Sequence, residues 1–183
     1  MPEEEPIILV PYDPAWPEEF REIAAALRST VGPVAVRIDH VGSTAVPGLD
    51  AKPVVDIQLS VRSLEPPEPY ARPLEELRYR FRPANPDRTK RFFLGPLGGR
   101  ATHLHVRESG SFDERLNLLL RDFLRTHAEA AADYAWVKWS LSETFRNDRE
   151  GYVRAKEPTI WSLLRRAHDW AQTTGWSPLP SDA

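Results

Sequence analysis

Over residues 53–61 the side chains alternate. Val55, Ile57, Leu59 and Val61 fall on one face of an extended segment, and Asp56 and Gln58 on the other. This predicts a strand carrying one acid in apolar company. Just before it, Val34, Val36 and Ile38 alternate with Ala35, Arg37 and Asp39, which predicts another strand. Residues 7–10, Ile-Ile-Leu-Val, read as a short strand or packed arm. Phe20, Ile23, Ala24 and Leu27 recur at helical spacing, with Asp13 as the expected N-cap, Pro14 at the first helical position and Gly32-Pro33 as the stop. Residues 62–69 form a proline-rich connector. A short helix over 70–79, interrupted by Pro73, then leads to an extended 81–85. Candidate strands at 91–94 and 101–107 flank Gly95-Pro96-Leu97-Gly98-Gly99 and suggest a hairpin.

From Ser111 the period becomes helical. Ser111 and Glu114 form a capping box, and Phe112, Leu116, Leu119, Leu120, Phe123 and Leu124 make the expected buried side. A helix over 128–145 carries Tyr134, Val137, Leu141 and Phe145. Another over 149–172 carries Tyr152, Ile160, Leu163, Leu164, Ala167 and Ala171, and Pro158 should kink or split it near Lys156. Trp136, Trp139, Trp161 and Trp170 read as helix core rather than as base-stacking platforms. The order predicts an α+β fold: a sheet core over 7–110, a helical half over 111–173 packed on it as one unit, and a tail at 174–183.

Composition narrows the class. The 183 residues suit one domain, and 41% hydrophobic with 28% charged residues is the make-up of a globular chain. A net charge of −3 gives no general attraction to nucleic acid or an anionic membrane. The absence of cysteine excludes a disulfide framework and a thiolate zinc site. Met1–Glu5 is acidic and lacks the apolar core of a signal peptide, and no apolar run approaches the ~20 residues of a membrane span. The expected location is the cytoplasm. One local asymmetry stands out: residues 78–107 hold eight Lys or Arg and a single acid, Asp87.

The candidate chemistry centres on residues 40–57. Gly42 lets backbone approach a ligand, Ser43 and Thr44 offer hydroxyls to anionic oxygens, and Val46-Pro47-Gly48-Leu49 is a type II turn. Asp56, on the strand that follows, can hold a divalent cation together with phosphates. His103 and His105 share a strand face; beside Asp56 they would favour Mn²⁺ or Zn²⁺ over Mg²⁺, and His105 can act as a general base. Arg107 stands where a third alternating histidine would be, which argues against a histidine-triad hydrolase. His40 is expected to shape the loop or to serve in catalysis.

The spacing from Val41-Gly42-Ser43 to Asp56-Ile57-Gln58 resembles the signature of polymerase β-like nucleotidyltransferases, departing from it at Gln58, where a second acid would stand. More closely, the stretches 40–49, 51–57 and 103–106 resemble the GrpB family, as do Leu120–Arg125 with His127, Ala135–Lys138, and Tyr152 with Lys156. The likeness runs from about residue 8 to 172. It implies a nucleotidyltransferase-like mixed sheet, in a family some of whose members are fused to dephospho-CoA kinase. The expected site therefore has Asp56 and His105 as catalytic residues. Gly42, Ser43, Thr44, Lys52, Arg91, Lys138, Tyr152 and Lys156 are expected to bind phosphate or nucleotide, and Asp56, His103 and His105 to hold Mg²⁺, Mn²⁺ or Zn²⁺. The expected ligand is a nucleotide or other phosphorylated small molecule, from which a nucleotidyl or phosphoryl group passes to a small acceptor. The alternatives are a non-catalytic nucleotide- or coenzyme A-binding module, and a metal-dependent phosphohydrolase using the two histidines.

Overall fold

Two strands that are distant in sequence meet side by side to build the functional face. β2 (Val55–Val61) pairs in parallel with β5 (Thr102–Glu108), and the register sets Asp56 opposite His103 and Gln58 opposite His105. β1 (Arg37–Val41) lies antiparallel on the outer side of β2. β4 (Lys90–Leu94) and β3 (Arg80–Phe81) continue antiparallel beyond β5, which gives the order β1-β2-β5-β4-β3. The computed structural model describes residues 6–183; the acidic segment 1–5 lies outside them. Among the described residues no helix is long and apolar enough to cross a membrane.

Strand alternation gives the sheet two unlike faces. Val55, Ile57, Leu59, Val61, Phe93, Leu104 and Val106 point to one side and form a core with α1 (Trp16–Val31) and α2 (Glu68–Glu76). The other side carries Asp39, Asp56, Gln58, Ser60, His103, His105 and Arg107. It lies under α3 (Phe112–Thr126), α4 (Ala128–Thr144) and α5 (Arg149–Thr174), whose own apolar cluster closes on the loop residues Val46 and Leu49. The class is the expected α+β layout: a mixed sheet with a helical half on its polar face.

Several local expectations are corrected. Of the two readings of residues 7–10, the packed arm holds rather than the strand: Ile7 and Leu9 are buried, and Val10 makes an isolated bridge to Ala51. α1 starts at Trp16 with Ala15 as its N-cap, two residues beyond the expected Asp13, whose Oδ1 accepts from the Ala15 amide. β1 begins only at Arg37, because Gly32–Val34 is a 3₁₀ turn. Pro73 and Pro158 sit inside continuous helices. In each, one lost amide is outweighed by the packing of residues on both sides, Tyr70 and Leu74 around Pro73, Tyr152 and Leu163 around Pro158. Phe112, Trp136 and Trp161 are mostly exposed, not core. Finally, residues 176–183 do not hang free. The Trp176 indole donates to Asp122, Ser181 Oγ accepts from the Ile38 amide, and Asp182 Oδ2 accepts from the His40 amide, so the segment covers the outer edge of β1.

Candidate functional site

The loop after β1 is shaped by a close approach. Gly42 has φ +71°, and a Cβ there would stand 2.7 Å from Asp56 Oδ2. Both facts demand glycine: the left-handed backbone disfavours L side chains, and there is no room for one. Ser43–Ala45 then make a 3₁₀ turn, and Gly48 (φ +78°) with the Leu49 amide donating to Val46 O at 3.1 Å completes the expected type II turn.

His40 and Thr44 hold this loop from beneath. His40 stacks on Phe20 with ring centroids 4.8 Å apart, and its Nε2 lies 3.0 Å from Thr44 Oγ1, which itself donates to Val54 O. The Thr44 hydroxyl is thus engaged within the loop and buried, while Ser43 remains at the cavity surface. Burial, and to a lesser degree Arg125, push the His40 pKa down to about 4, so the ring is neutral near pH 7.

Asp56 is the centre of the polar face. His103 Nδ1 and His105 Nε2 both lie 3.2 Å from its Oδ1. Burial opposes its ionisation, but hydrogen bonds from the two imidazoles outweigh that and hold the carboxyl well below the usual range. Burial lowers the His105 pKa despite the Asp56 charge. Phe92 packs against both imidazoles, at centroid distances of 5.4 and 5.2 Å. The expected Asp56–His103–His105 trio therefore converges. Among the described residues, however, no group of three such side chains is already arranged to hold a metal ion.

Gln58 takes no part in this cluster. It is fully buried; its Nε2 donates to the Glu114 carbonyl at 3.2 Å and its Oε1 accepts from Asn117 at 2.9 Å, which clamps β2 to α3. The position where a second acid was expected has become a structural staple.

Two adjoining cavities open along this face. The larger, about 440 Å³, is lined by Ser43, Thr44, Lys52, Lys90, Lys138, Arg149, Tyr152 and Lys156 around Asp56, His103 and His105. Among the described residues, Asp56 is the only carboxylate in its wall. Lys138 is buried, and its Nζ donates to Ser43 Oγ at 3.0 Å and to Asp50 O. Burial, with Lys156 nearby, pushes its pKa down to about 7; burial also takes Lys156 down to about 8, and that ammonium lies 4.4 Å from the centre of the Tyr152 ring. The smaller cavity, about 240 Å³, lies under α3 and α4 and is walled by Arg107, Asn117, Leu120, Arg121, Leu124 and Tyr134. It shares Ser43, Asp56, Lys90 and His105 with the larger.

Of the phosphate-binding candidates, Gly42, Ser43, Lys52, Lys138, Tyr152 and Lys156 meet at these cavities, as does Thr44. Arg91 does not. On β4 it alternates with Lys90 and Phe92, so it points to the apolar side of the sheet and pairs with Glu65. Lys90, from the opposite face of β4, lines the cleft. The wall residues that sequence reasoning did not place in the site are Arg107, Asn117, Arg121, Tyr134 and Arg149. Arg107 was within reach, since it continues the His103–His105 alternation onto the same face. Arg121, next to Asp122, reads from the sequence as an ion pair or a helix-to-sheet anchor, and it makes both contacts.

This fold and this cationic cleft define an α+β protein with a polar cavity between sheet and helices. The chain belongs to the GrpB family, whose pattern, described as GrpB protein, it matches over residues 6–166. It is 42% identical over 165 residues to a UPF0157 protein of Pseudomonas aeruginosa, covering 88% of this chain and 67% of that one. It is also 36% identical over 198 residues to a dephospho-CoA kinase of Mycolicibacterium paratuberculosis, covering 94% of this chain but 49% of the relative, so it spans about half the length of that protein. The crystal structure of the conserved protein GrpB from Enterococcus faecalis superposes with a TM-score of 0.81 at 26% identity, over 90% of this chain and 99% of that one. A weaker likeness, TM-score 0.48 at 14% identity over 70% of this chain and 41% of that one, is to Cid1 solved with its short product ApU.

Proposed function

We propose that the chain binds a nucleotide or a similar phosphorylated ligand in the larger cavity, with a divalent cation at Asp56, and passes a nucleotidyl or phosphoryl group to a small acceptor. One observation carries the reading. The Gly42–Ser43 loop presses on Asp56, the cleft's only carboxylate among the described residues, while Lys52, Lys90, Lys138, Arg149 and Lys156 line the rest. A polyphosphate is complementary in charge to such a wall. One carboxylate plus phosphate oxygens is a donor set suited to Mg²⁺ or Mn²⁺, whereas Zn²⁺ calls for three protein ligands. When bound, the cation would supply charge neutralisation on the phosphates.

The chain's own residues do the remaining work. Lys138 fixes Ser43, whose hydroxyl proton is left to donate to a phosphate oxygen. Lys52 and Lys156 neutralise charge along the chain of phosphates. His105 accepts the acceptor's proton as the acceptor oxygen bonds to phosphorus and the bond to the departing phosphate opens. A second reading, a binding module without turnover, draws on Gln58: with its side chain tied to α3, the face offers a single acid where two-metal transferases use a pair.

Calorimetric titration of ATP, GTP, CTP, UTP and dephospho-CoA, each with and without Mg²⁺ or Mn²⁺, tests the shared part of both readings. At least one ligand is expected to bind in a metal-dependent manner; if none binds, both readings fail. Release of pyrophosphate or inorganic phosphate in the presence of an acceptor then separates transfer from binding alone.

A further inference from the structure

The smaller cavity holds an arginine that the phosphate cleft does not use. Arg121 is buried on α3. Its Nε donates to Asp122 at 2.8 Å, and its Nη1 donates to Asp182 at 2.8 Å and to the His40 carbonyl at 3.1 Å. These bonds lock the guanidinium plane, and they leave Nη2 buried with no hydrogen-bond partner among the described residues. Arg107, on the sheet side of the same cavity, is likewise buried, and its Nε likewise has no partner among them. Arg107's two terminal nitrogens donate to Thr89 and Asp87. A buried guanidinium donor left unpaired is costly, and one held in a fixed direction is a charge-assisted partner for a single anionic oxygen.

The cavity's other walls differ from those of the larger one. Leu120 and Leu124 give it an apolar side, and Asn117 and Tyr134 bring neutral polar groups. At about 240 Å³ it admits a molecule of roughly eight non-hydrogen atoms, taking about 30 Å³ per water-sized unit. That is too small for a nucleotide. Its wall in common with the larger cavity runs through Ser43, Asp56, Lys90 and His105.

We propose that this cavity is the acceptor subsite, built for a compact hydroxy- or amino-acid, or another small molecule with one anionic group, whose anion docks between Arg121 and Arg107. Its nucleophile would then face the shared wall, across which the phosphates lie. The assignment rests on the nucleotide reading above for its role as acceptor site, but anion binding there can be measured independently.

The test uses the full chain with the larger cavity filled by a non-hydrolysable ATP analogue and Mg²⁺. Inorganic phosphate and a panel of glycerate, malate, serine and glutamate are titrated by calorimetry. At least one anion is expected to bind to the analogue-saturated protein. Arg121→Lys should weaken it about tenfold or more, through loss of the Nη2 donor. Leu120→Trp, which plugs the cavity while leaving every cation in place, should abolish it with analogue affinity unchanged. Failure of every anion to bind while the analogue binds overturns the subsite and leaves the nucleotide reading standing. Anion binding that Leu120→Trp removes, in a protein that binds no nucleotide, supports the subsite and overturns that reading. If either variant is unfolded, competition in the wild-type protein decides: displacement of the anion by the analogue overturns the separate subsite, and simultaneous binding supports it.

Discussion

Gly42 is the most constrained residue of the site. Alanine there would need a left-handed backbone and would place a methyl group 2.7 Å from Asp56 Oδ2. Gly42→Ala is expected to cost about 1–3 kcal/mol, read from urea unfolding, and to lose ligand binding as well. Asp56→Asn is nearly isosteric; it should abolish the metal-dependent part of nucleotide affinity while the protein remains folded. The lysines give a pH signature. Lys138 and Lys156 titrate at about 7 and about 8 in the folded chain, against an ordinary value near 10.5. Between those values the unfolded chain holds more protons, so the ligand-free protein should gain stability as pH rises from about 7 towards 10. Polyphosphate affinity should run the other way, falling from pH 7 to 9 as the two ammonium groups deprotonate. Calorimetry at several pH values, with proton uptake on binding at pH 8, checks this. At the acid end His40, at about 4 when folded and 6.5 ordinarily, withdraws stability as pH falls from 6.5 towards 4.

Among the elements, β2 is the one whose alternation said most. Its apolar face and its single acid are placed as the period of two requires. What the period could not give is Gln58's partner, because a staple to a helix 56 residues away depends on how the helical half docks. Gln58→Glu would restore the acid pair of the transferase signature, yet it would set a carboxylate against the Glu114 carbonyl where an amide now donates. It should destabilise by about 1–3 kcal/mol without raising Mg²⁺ affinity, measured by denaturant unfolding and metal titration. α4 shows the opposite limit. Its large apolar residues Trp136 and Trp139 face outward, while Ala130, Tyr134, Lys138 and Ser142, four apart, face inward. A hydrophobic count picks the wrong side, because the inward face joins the core through small residues and Tyr134 and lines the polar cleft through Lys138. Family resemblance, not periodicity, supplied Lys138. Arg91 was misplaced for a simpler reason: with the strand start uncertain by one residue, parity could not separate it from Lys90.

Over the whole molecule, the sheet-and-helices class was legible because the change of hydrophobic period at Ser111 is sharp. The segment 176–183 was not, since its hold on the body comes through side chains to an edge strand rather than from any period of its own. Asp182 meets both the His40 amide and Arg121, so it supports the loop strand and the buried guanidinium together. Deleting residues 181–183 should lower stability by about 1–3 kcal/mol in urea unfolding, and Asp182→Ala should account for much of it. The parallel pairing of β2 with β5 has a consequence for how the protein comes into being. β5 enters between β2 and β4, both already made, and brings His103 and His105 across from 47 and 49 residues away. Synthesis and local collapse of the first hundred residues can yield the loop, the acid and both flanking strands, but no site. Ligand competence should therefore appear in a single late event during refolding, with the same rate as the insertion of residues 102–108 and no partial affinity before it.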